Sequence, residues 1–383
     1  MQRQEKTLGK NLISLRKSNK KSILKLLSES GRLYGSDIAK RIGLSVGGTA
    51  NITDEMLESG LLVKSDAESV VRGRRPYMLN INSDMGVVAV VIVKETAELY
   101  ISDFGGNLLY SDETVFKDLS GETFEKIIEK LQNYMARSEK RLYAVSVGVG
   151  GKIDKDTGDF IYAPSIKDSA NVNLKKMFGA AFGIPVKVYN NIVYEMLAEK
   201  RYNKEVEIFD TLYVDELGCA IFIGGKLYTG HHGFAGELGL LDIDVYGETL
   251  AKYCEGVDKY RSHYFMSPYI SAFMQRDSVS LENFAEAYRR EDKGVVKRFN
   301  GFFDLYARVL RNIVEFMDLG NVVIHGNIAN FGDKAIKYIE NELVDSRFGR
   351  LDVKVYPSVL GTDAAVKGAI SVAIEEAFDE LIK

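Results

Sequence analysis

At 383 residues, 46% apolar and 27% charged, the sequence has the composition of a soluble globular protein of two or three domains. No apolar run nears the ~18 residues of a membrane span, and the amino-terminal stretch is polar and basic, so a cytoplasmic protein with no membrane partner is expected. The net charge of −4 hides an asymmetry: residues 1–85 carry 15 Lys and Arg against 9 Asp and Glu, while the remainder carry 35 against 45. A basic head on an acidic body implies that only the head meets a polyanion. Two cysteines, Cys219 and Cys254, exclude a disulfide framework and cannot alone make a tetrahedral zinc site.

In the head, Ile23, Leu24, Leu26 and Leu27 recur at helical spacing, and Ser36 is placed to cap a second short helix through Lys40-Arg41. Gly43-Leu44 breaks the chain, and Ser45 caps a third helix whose buried face is Ile52, Met56 and Leu57. Leu61 to Lys64 and Tyr77 to Ile81 read as paired strands around a polar turn ending in Arg72-Gly73-Arg74-Arg75-Pro76. This is the grammar of a winged helix-turn-helix. Ser45, Val46, Gly47, Gly48, Thr49 and Asn51 open the recognition helix and are the candidate base-facing residues. Arg72, Arg74 and Arg75 are assigned to the minor groove, and Arg16, Lys17, Lys20 and Lys21 to phosphates. The partner implied is double-stranded DNA.

In the body, Val87 to Val93 is a nearly continuous apolar strand, Glu98 to Ser102 alternates, and Asp103 to Asn107 is a hairpin turn. A helix from Glu122, a strand Tyr143 to Val149, helix Leu174 to Phe182, strand Val186 to Tyr189 and helix Asn191 to Arg201 follow. The pattern returns after residue 211. A helical stretch to about Leu319, strand Val322 to Ile324, helix Asp333 to Glu342, strand Val353 to Tyr356 and a last helix from Asp363 complete it. Strand hairpins followed by alternating helix and strand, stated twice, predict a duplicated α/β body. The expected domains are residues 1–82, 83–190 and 191–383, with the C-terminal helix a candidate to pack back on the first half.

The stretch Thr211 to Leu240 carries the densest signal. Apolar strands deliver a loop with Gly230, Gly233, Gly236 and Gly239 around a single carboxylate, Glu237, and glycines of this kind let backbone approach a small ligand. A hairpin with a flexible surface loop is the bland alternative.

Together these motifs resemble the ROK family (repressors, open reading frames, kinases), in its repressor layout of winged helix-turn-helix plus actin/hexokinase-like (ribonuclease H-like) domain. The resemblance rests on Gly73 to Pro76, Gly148 to Asp154 with Thr157-Gly158, Ala163 to Ser165, Val188 to Asn191, Gly225 to Tyr228, Ala235 to Gly239 and Gly361 to Asp363. It extends from about residue 12 to the end.

The departures from the family pattern bear on function. Val91 to Glu95 stands where the resemblance implies a glycine-rich ATP phosphate loop, and Val214-Asp215-Glu216 stands where it implies a second. Asn191 occupies the position of the catalytic Asp, and an amide cannot take a proton from a sugar hydroxyl. Leu240 replaces a zinc-binding His, Val245 to Thr249 lacks the zinc cysteines, and Ala251 replaces a sugar-binding Glu. The resemblance therefore implies no catalytic residue, no metal and no cofactor, the zinc and ATP sites being lost. Asn190, Asn191 and Glu237 remain able to hold a polyol, with His231 and His232 as replacement contacts. The expected protein is a sugar-sensing repressor of carbohydrate metabolism, homodimeric or homotetrameric. An ATP-dependent sugar kinase and a DNA-binding protein without an effector are the alternatives.

Overall fold

The computed structural model describes residues 2–66, 77–93, 95–138, 140–154, 156–162, 172–215, 218–241, 281–346 and 349–383. The wing arginines Arg72, Arg74 and Arg75, together with Glu216, Ala251, Cys254 and the Val245–Thr249 loop, lie outside the described residues.

The head is built from helices α1 (Gln2–Ser30), α2 (Gly35–Ile42) and α3 (Val46–Glu58) and strands β1 (Leu62–Asp66) and β2 (Tyr77–Ile81). Of the expected apolar set, Ile23, Leu24, Leu27, Ile52 and Met56 are buried and Leu26 and Leu57 are partly so, with Ile38 and Ala39 completing the core. The strands pair antiparallel, and Leu33 bridges to Leu79, adding a third rung to the base of the wing. Ser45 caps α3 by accepting from the Gly48 amide at 3.1 Å. Ser36 does not cap α2: the helix starts at Gly35, with Tyr34 in the cap position two residues before Ser36.

The first sheet contains β3 (Met85–Val93), β4 (Thr96–Asp103), β5 (Leu108–Val115), β6 (Arg141–Val149) and β10 (Val186–Tyr189), in the order β10-β6-β3-β4-β5. Strand β3 is buried along nearly its whole length, which is why its sequence is apolar at both parities. Helices α4 (Gly121–Arg137) and α5 (Leu174–Phe182) accompany this sheet, the buried Phe124 and Phe178 meeting edge-on at 6.5 Å. Short strands β7 (Lys152–Ile153), β8 (Asp159–Tyr162) and β9 (Val172–Asn173) form a separate three-stranded sheet.

The second sheet repeats the topology. Helix α6 (Asn191–Tyr202) leads to β11 (Thr211–Asp215), β12 (Gly218–Ile223) and β13 (Lys226–Tyr228). Beyond residue 280 come α7 (Leu281–Arg289), α8 (Lys293–Met317), β14 (Asn321–His325), α9 (Gly326–Ala329), α10 (Asp333–Val344), the short pair β15 (Asp345–Ser346) and β16 (Gly349–Arg350), β17 (Lys354–Pro357) and α11 (Ala364–Leu381). The order β13-β12-β11-β14-β17 matches the first sheet strand for strand: an antiparallel meander with two parallel strands added beside its first member. Beneath it, one face of α8 buries Phe299, Phe302, Phe303, Tyr306, Leu310 and Val314 against Tyr288 and Phe331.

Two compact units emerge. One comprises residues 1–149, 158–189 and 369–383, the other 150–157 and 190–368. The head joins the first unit because α1 is fastened inside it: Ser28 Oγ donates to the Phe104 carbonyl at 2.5 Å, and Lys21 pairs with Asp379.

Candidate DNA interface and effector site

The outward face of α3 is set by its 3.6-residue period against the buried Thr49, Ile52, Thr53 and Met56. Val46 is 65% exposed, and Gly47, Ala50, Asn51 and Asp54 share its side. A methyl-bearing Val46 and the Asn51 amide are side chains suited to thymine methyl and adenine edges. Thr49, another candidate base contact, is 1% exposed and faces the head's own core, and Ala50 holds the outward place. Ala50 is legible in the sequence only once the helix phase is fixed by its cap.

Three cations of α1 have acidic partners within the molecule. Arg16 and Lys20 both pair with Glu55 of α3, the latter at 3.1 Å. Lys21 pairs with Asp379 at 2.6 Å and with Glu375 at 3.4 Å. Each has an intramolecular acid to satisfy first, which charge counting along the chain does not reveal. Lys17 is exposed and makes no ion pair among the described residues.

In the second unit, three segments distant in sequence converge. Asn190 caps α6, accepting from the Ile192 amide at 3.2 Å, and its Nδ2 donates to the Gly151 carbonyl at 2.9 Å. That ties the segment 150–157 to the start of α6, where Asn191 is the first helical residue. Asp154 accepts from the backbone amides of Thr157 and Asp156 at 2.8 and 2.9 Å, and these bonds hold its carboxyl below the ordinary range. Lys152 reaches across to the glycine loop, its ammonium 5.4 Å from the centre of the Phe234 ring.

The glycine loop is pressed onto β12. A Cβ on Gly236, at φ 103°, would lie 1.9 Å from the Cys219 carbonyl oxygen, and the Cys219 amide donates to Gly236 at 2.8 Å. Only glycine fits this approach. The anchoring fixes the half-buried Glu237 that follows. Desolvation pushes its carboxyl up, opposed by the charge of Lys152. His231 and His232 are exposed, with their rings edge-to-face at 4.5 Å.

Asn190 is bonded to Gly151, while the Lys152 charge acts on Glu237 and that of His232 on Asp154. Lys152, Asp154 and Phe234 were not among the candidates from sequence; the Gly148 to Asp154 motif was the available signal. The arrangement offers a carboxylate, an ammonium and amides beside an aromatic face, a donor and acceptor set fitted to hydroxyls. Glu237 also lines a cavity of about 410 Å³ together with Arg308 and Asn312, its other walls, including Ile221, Leu238, Leu305 and Val309, being largely apolar.

Where a second phosphate loop is implied, β11 ends in Asp215, in register with His325 of β14. Burial pushes the Asp215 carboxyl up to about 6 and draws the His325 imidazole down. The His325 ring stacks on Tyr213 at 5.9 Å. Among the described residues there is no cluster of three or more His, Cys, Asp or Glu that could hold a metal ion.

A winged helix-turn-helix head joined to two α/β sheets of one topology defines the repressor layout of a sugar-kinase-like protein. The ROK family model matches residues 88–376, and the chain belongs to that family. A winged helix-turn-helix DNA-binding model matches residues 16–63. The xylose repressor of Caldicellulosiruptor bescii is 28% identical over 241 residues, and the match spans 60% of the length of each chain. The xylose repressor of Bacillus spizizenii is 21% identical over 377 residues, covering 95% of this chain and 97% of that one. The DNA-binding transcriptional dual regulator NagC of Escherichia coli is 23% identical over 247 residues, covering 62% of this chain and 60% of NagC. Among solved structures, a ROK family transcriptional regulator described as a homologue of the E. coli MLC protein superposes with a TM-score of 0.74. It is 19% identical and covers 96% of this chain and 98% of that one. The ROK hexokinase from Thermus thermophilus gives 0.59 at 20% identity, over 77% of this chain and 100% of that one.

Proposed function

We propose that this chain is a DNA-binding transcriptional repressor of carbohydrate metabolism whose ROK domain senses a sugar without phosphorylating it. The observation that carries the reading is the combination, in one chain, of an outward-facing recognition helix with an amide, Asn191, at the position where a kinase needs a carboxylate. An amide can hydrogen-bond a sugar hydroxyl but cannot remove its proton at neutral pH. The repressor names of the similar proteins support the same reading, and xylose and N-acetylglucosamine are the first sugars to test. Sugar occupancy would shift the population between forms that fit and do not fit two operator half-sites, which implies a homodimer or a pair of dimers.

Gel-shift titration on the DNA upstream of its own gene, at fixed salt, is the direct test, with and without D-xylose, D-glucose or N-acetyl-D-glucosamine. Binding tighter than to random DNA, weakened by one sugar, is the expected result. A thermal shift by that sugar, lost in Glu237→Gln, would place the effector at the glycine loop. The fold shared with the Thermus hexokinase favours one second reading, a sugar kinase. A coupled assay with Mg-ATP separates them: turnover that falls in an Asn191 substitution would overturn the sensor reading. Sequence-specific binding indifferent to every sugar would leave a repressor without an effector.

A further inference from the structure

Helix α11 is continuous from Ala364 to Leu381, yet its residues through Gly368 belong to the second unit and those from Ala369 to the first. Each end is held by a different chemistry. In the second unit Gly368 lies against the backbone of α6: a Cβ there would stand 1.8 Å from the Tyr194 carbonyl oxygen and 2.4 Å from its carbon. Contact this close ties the two helices together sterically. Helix α6 is the one that Asn190 caps and Asn191 opens, three residues before Tyr194.

In the first unit the other end of α11 presents Glu375 and Asp379, one turn apart, to the head. Lys21 Nζ is 2.6 Å from Asp379 Oδ1 and 3.4 Å from Glu375 Oε2, and Lys25 Nζ is 3.3 Å from Glu375 Oε1. Beside this, the Phe378 ring meets Phe104 edge-on at 5.3 Å, and the Phe104 carbonyl accepts from Ser28 of α1. Lys187 of β10, three residues before Asn190, pairs with Glu376 at 3.2 Å. One helix therefore touches both the helix that begins at the candidate effector site and the first helix of the head.

We propose that Glu375 and Asp379, gripping Lys21 and Lys25, are the joint through which occupancy of the effector site sets the DNA affinity of the head. The inference rests on the sensor reading given above. A hydrogen-bonded helix is stiff along its axis, so a shift imposed at Gly368 by α6 is delivered two to three turns away at Glu375 and Asp379. The pairs are partly exposed, and such pairs break and re-form at small cost, which suits a joint rather than a weld. Both acids are positioning residues, remote from any bound sugar.

The test compares the full-length wild type with Glu375→Gln/Asp379→Asn. Operator affinity is read by fluorescence anisotropy at fixed salt, with and without whichever of D-xylose, D-glucose and N-acetyl-D-glucosamine gives the wild type its largest thermal shift. Allosteric couplings commonly amount to about 5- to 150-fold, and the wild-type factor is expected in that range, falling below about three-fold in the double variant. The thermal shift produced by the sugar is expected to stay unchanged. The charge-swapped protein, Lys21→Glu/Lys25→Glu with Glu375→Lys/Asp379→Lys, is expected to regain at least half of the coupling on a logarithmic scale. A double variant that binds sugar and keeps the wild-type factor overturns the joint alone. A wild type with no sugar response, or no operator binding, overturns the sensor reading and the joint with it. Should the double variant fail to fold, Asp379→Asn removes the shortest contact and is judged by the same two readouts.

Discussion

Lys20 of α1 and Glu55 of the recognition helix are joined across 3.1 Å, and Arg16 donates to the same carboxylate. An acid on the DNA-reading helix thus holds two of the head's cations. The pairs draw the Glu55 carboxyl below its ordinary range, the Lys20 hydrogen bond being the largest cause.

Glu55→Gln should release Arg16 and Lys20 to phosphates. Affinity for random duplex is expected to rise, and the slope of log affinity against log salt to steepen by about one to two. Stability should change little, because exposed pairs contribute little. Titrations between about 50 and 200 mM salt measure the slope; weaker binding to random DNA would mean that the pairs orient α1 on α3 instead.

Thr49 is buried, and its hydroxyl finds no hydrogen-bond partner among the described residues. Thr49→Val replaces that oxygen with a methyl of similar shape, so a gain of about 1 kcal/mol in unfolding free energy is expected. Operator affinity should be unchanged, whereas Asn51→Ala on the exposed face should lower it by about 1–3 kcal/mol. Equal losses for both variants in the binding assay would return Thr49 to the interface.

Asp215 carries a desolvated carboxyl whose value, raised from 3.8 to about 6, sets a pH window. Below the unfolded value both states are protonated and the folded chain has no penalty. As pH rises through 6 the folded carboxyl must ionise while desolvated, and stability is lost. Asp215→Asn should therefore stabilise the protein by about 2–3 kcal/mol near neutral pH, the gain vanishing towards pH 4. Urea unfolding at the two pH values decides; an equal effect at both would show that the carboxyl charge is not the cause.

Gly236→Ala would drive a Cβ into the Cys219 carbonyl and impose a positive φ on alanine. Displacing the loop from β12 should cost about 3 kcal/mol or more and abolish any sugar-induced thermal shift. A variant with wild-type melting and sugar response would show that the loop need not sit against the strand.

The elements legible in the sequence are those whose signal is local. The apolar run of β3, the Ser45 cap and the helical period of α4 read directly. Strand β5 is not legible: Leu108 to Val115 is exposed or half-exposed at the sheet edge, so its sequence carries no clean alternation of apolar and polar residues. The glycine loop and Asn190 are legible as candidates, but their links to Lys152 and Asp154 are not. Those relationships join positions 39 to 85 residues apart, and nothing in the neighbouring sequence specifies them.

By itself the sequence determined the head with its basic charge, the twice-stated strand and helix pattern, and the amide at position 191. Each follows from residue chemistry, short-range periodicity or a motif position. The tertiary structure decided which side of α3 faces outward, which acids hold Lys20 and Lys21, and that α11 belongs to both units. Those depend on packing between elements distant along the chain, where side chains choose partners by proximity in space. Lys20, Lys21 and Lys25, which help to make the head basic in composition, are paired within the molecule in the fold.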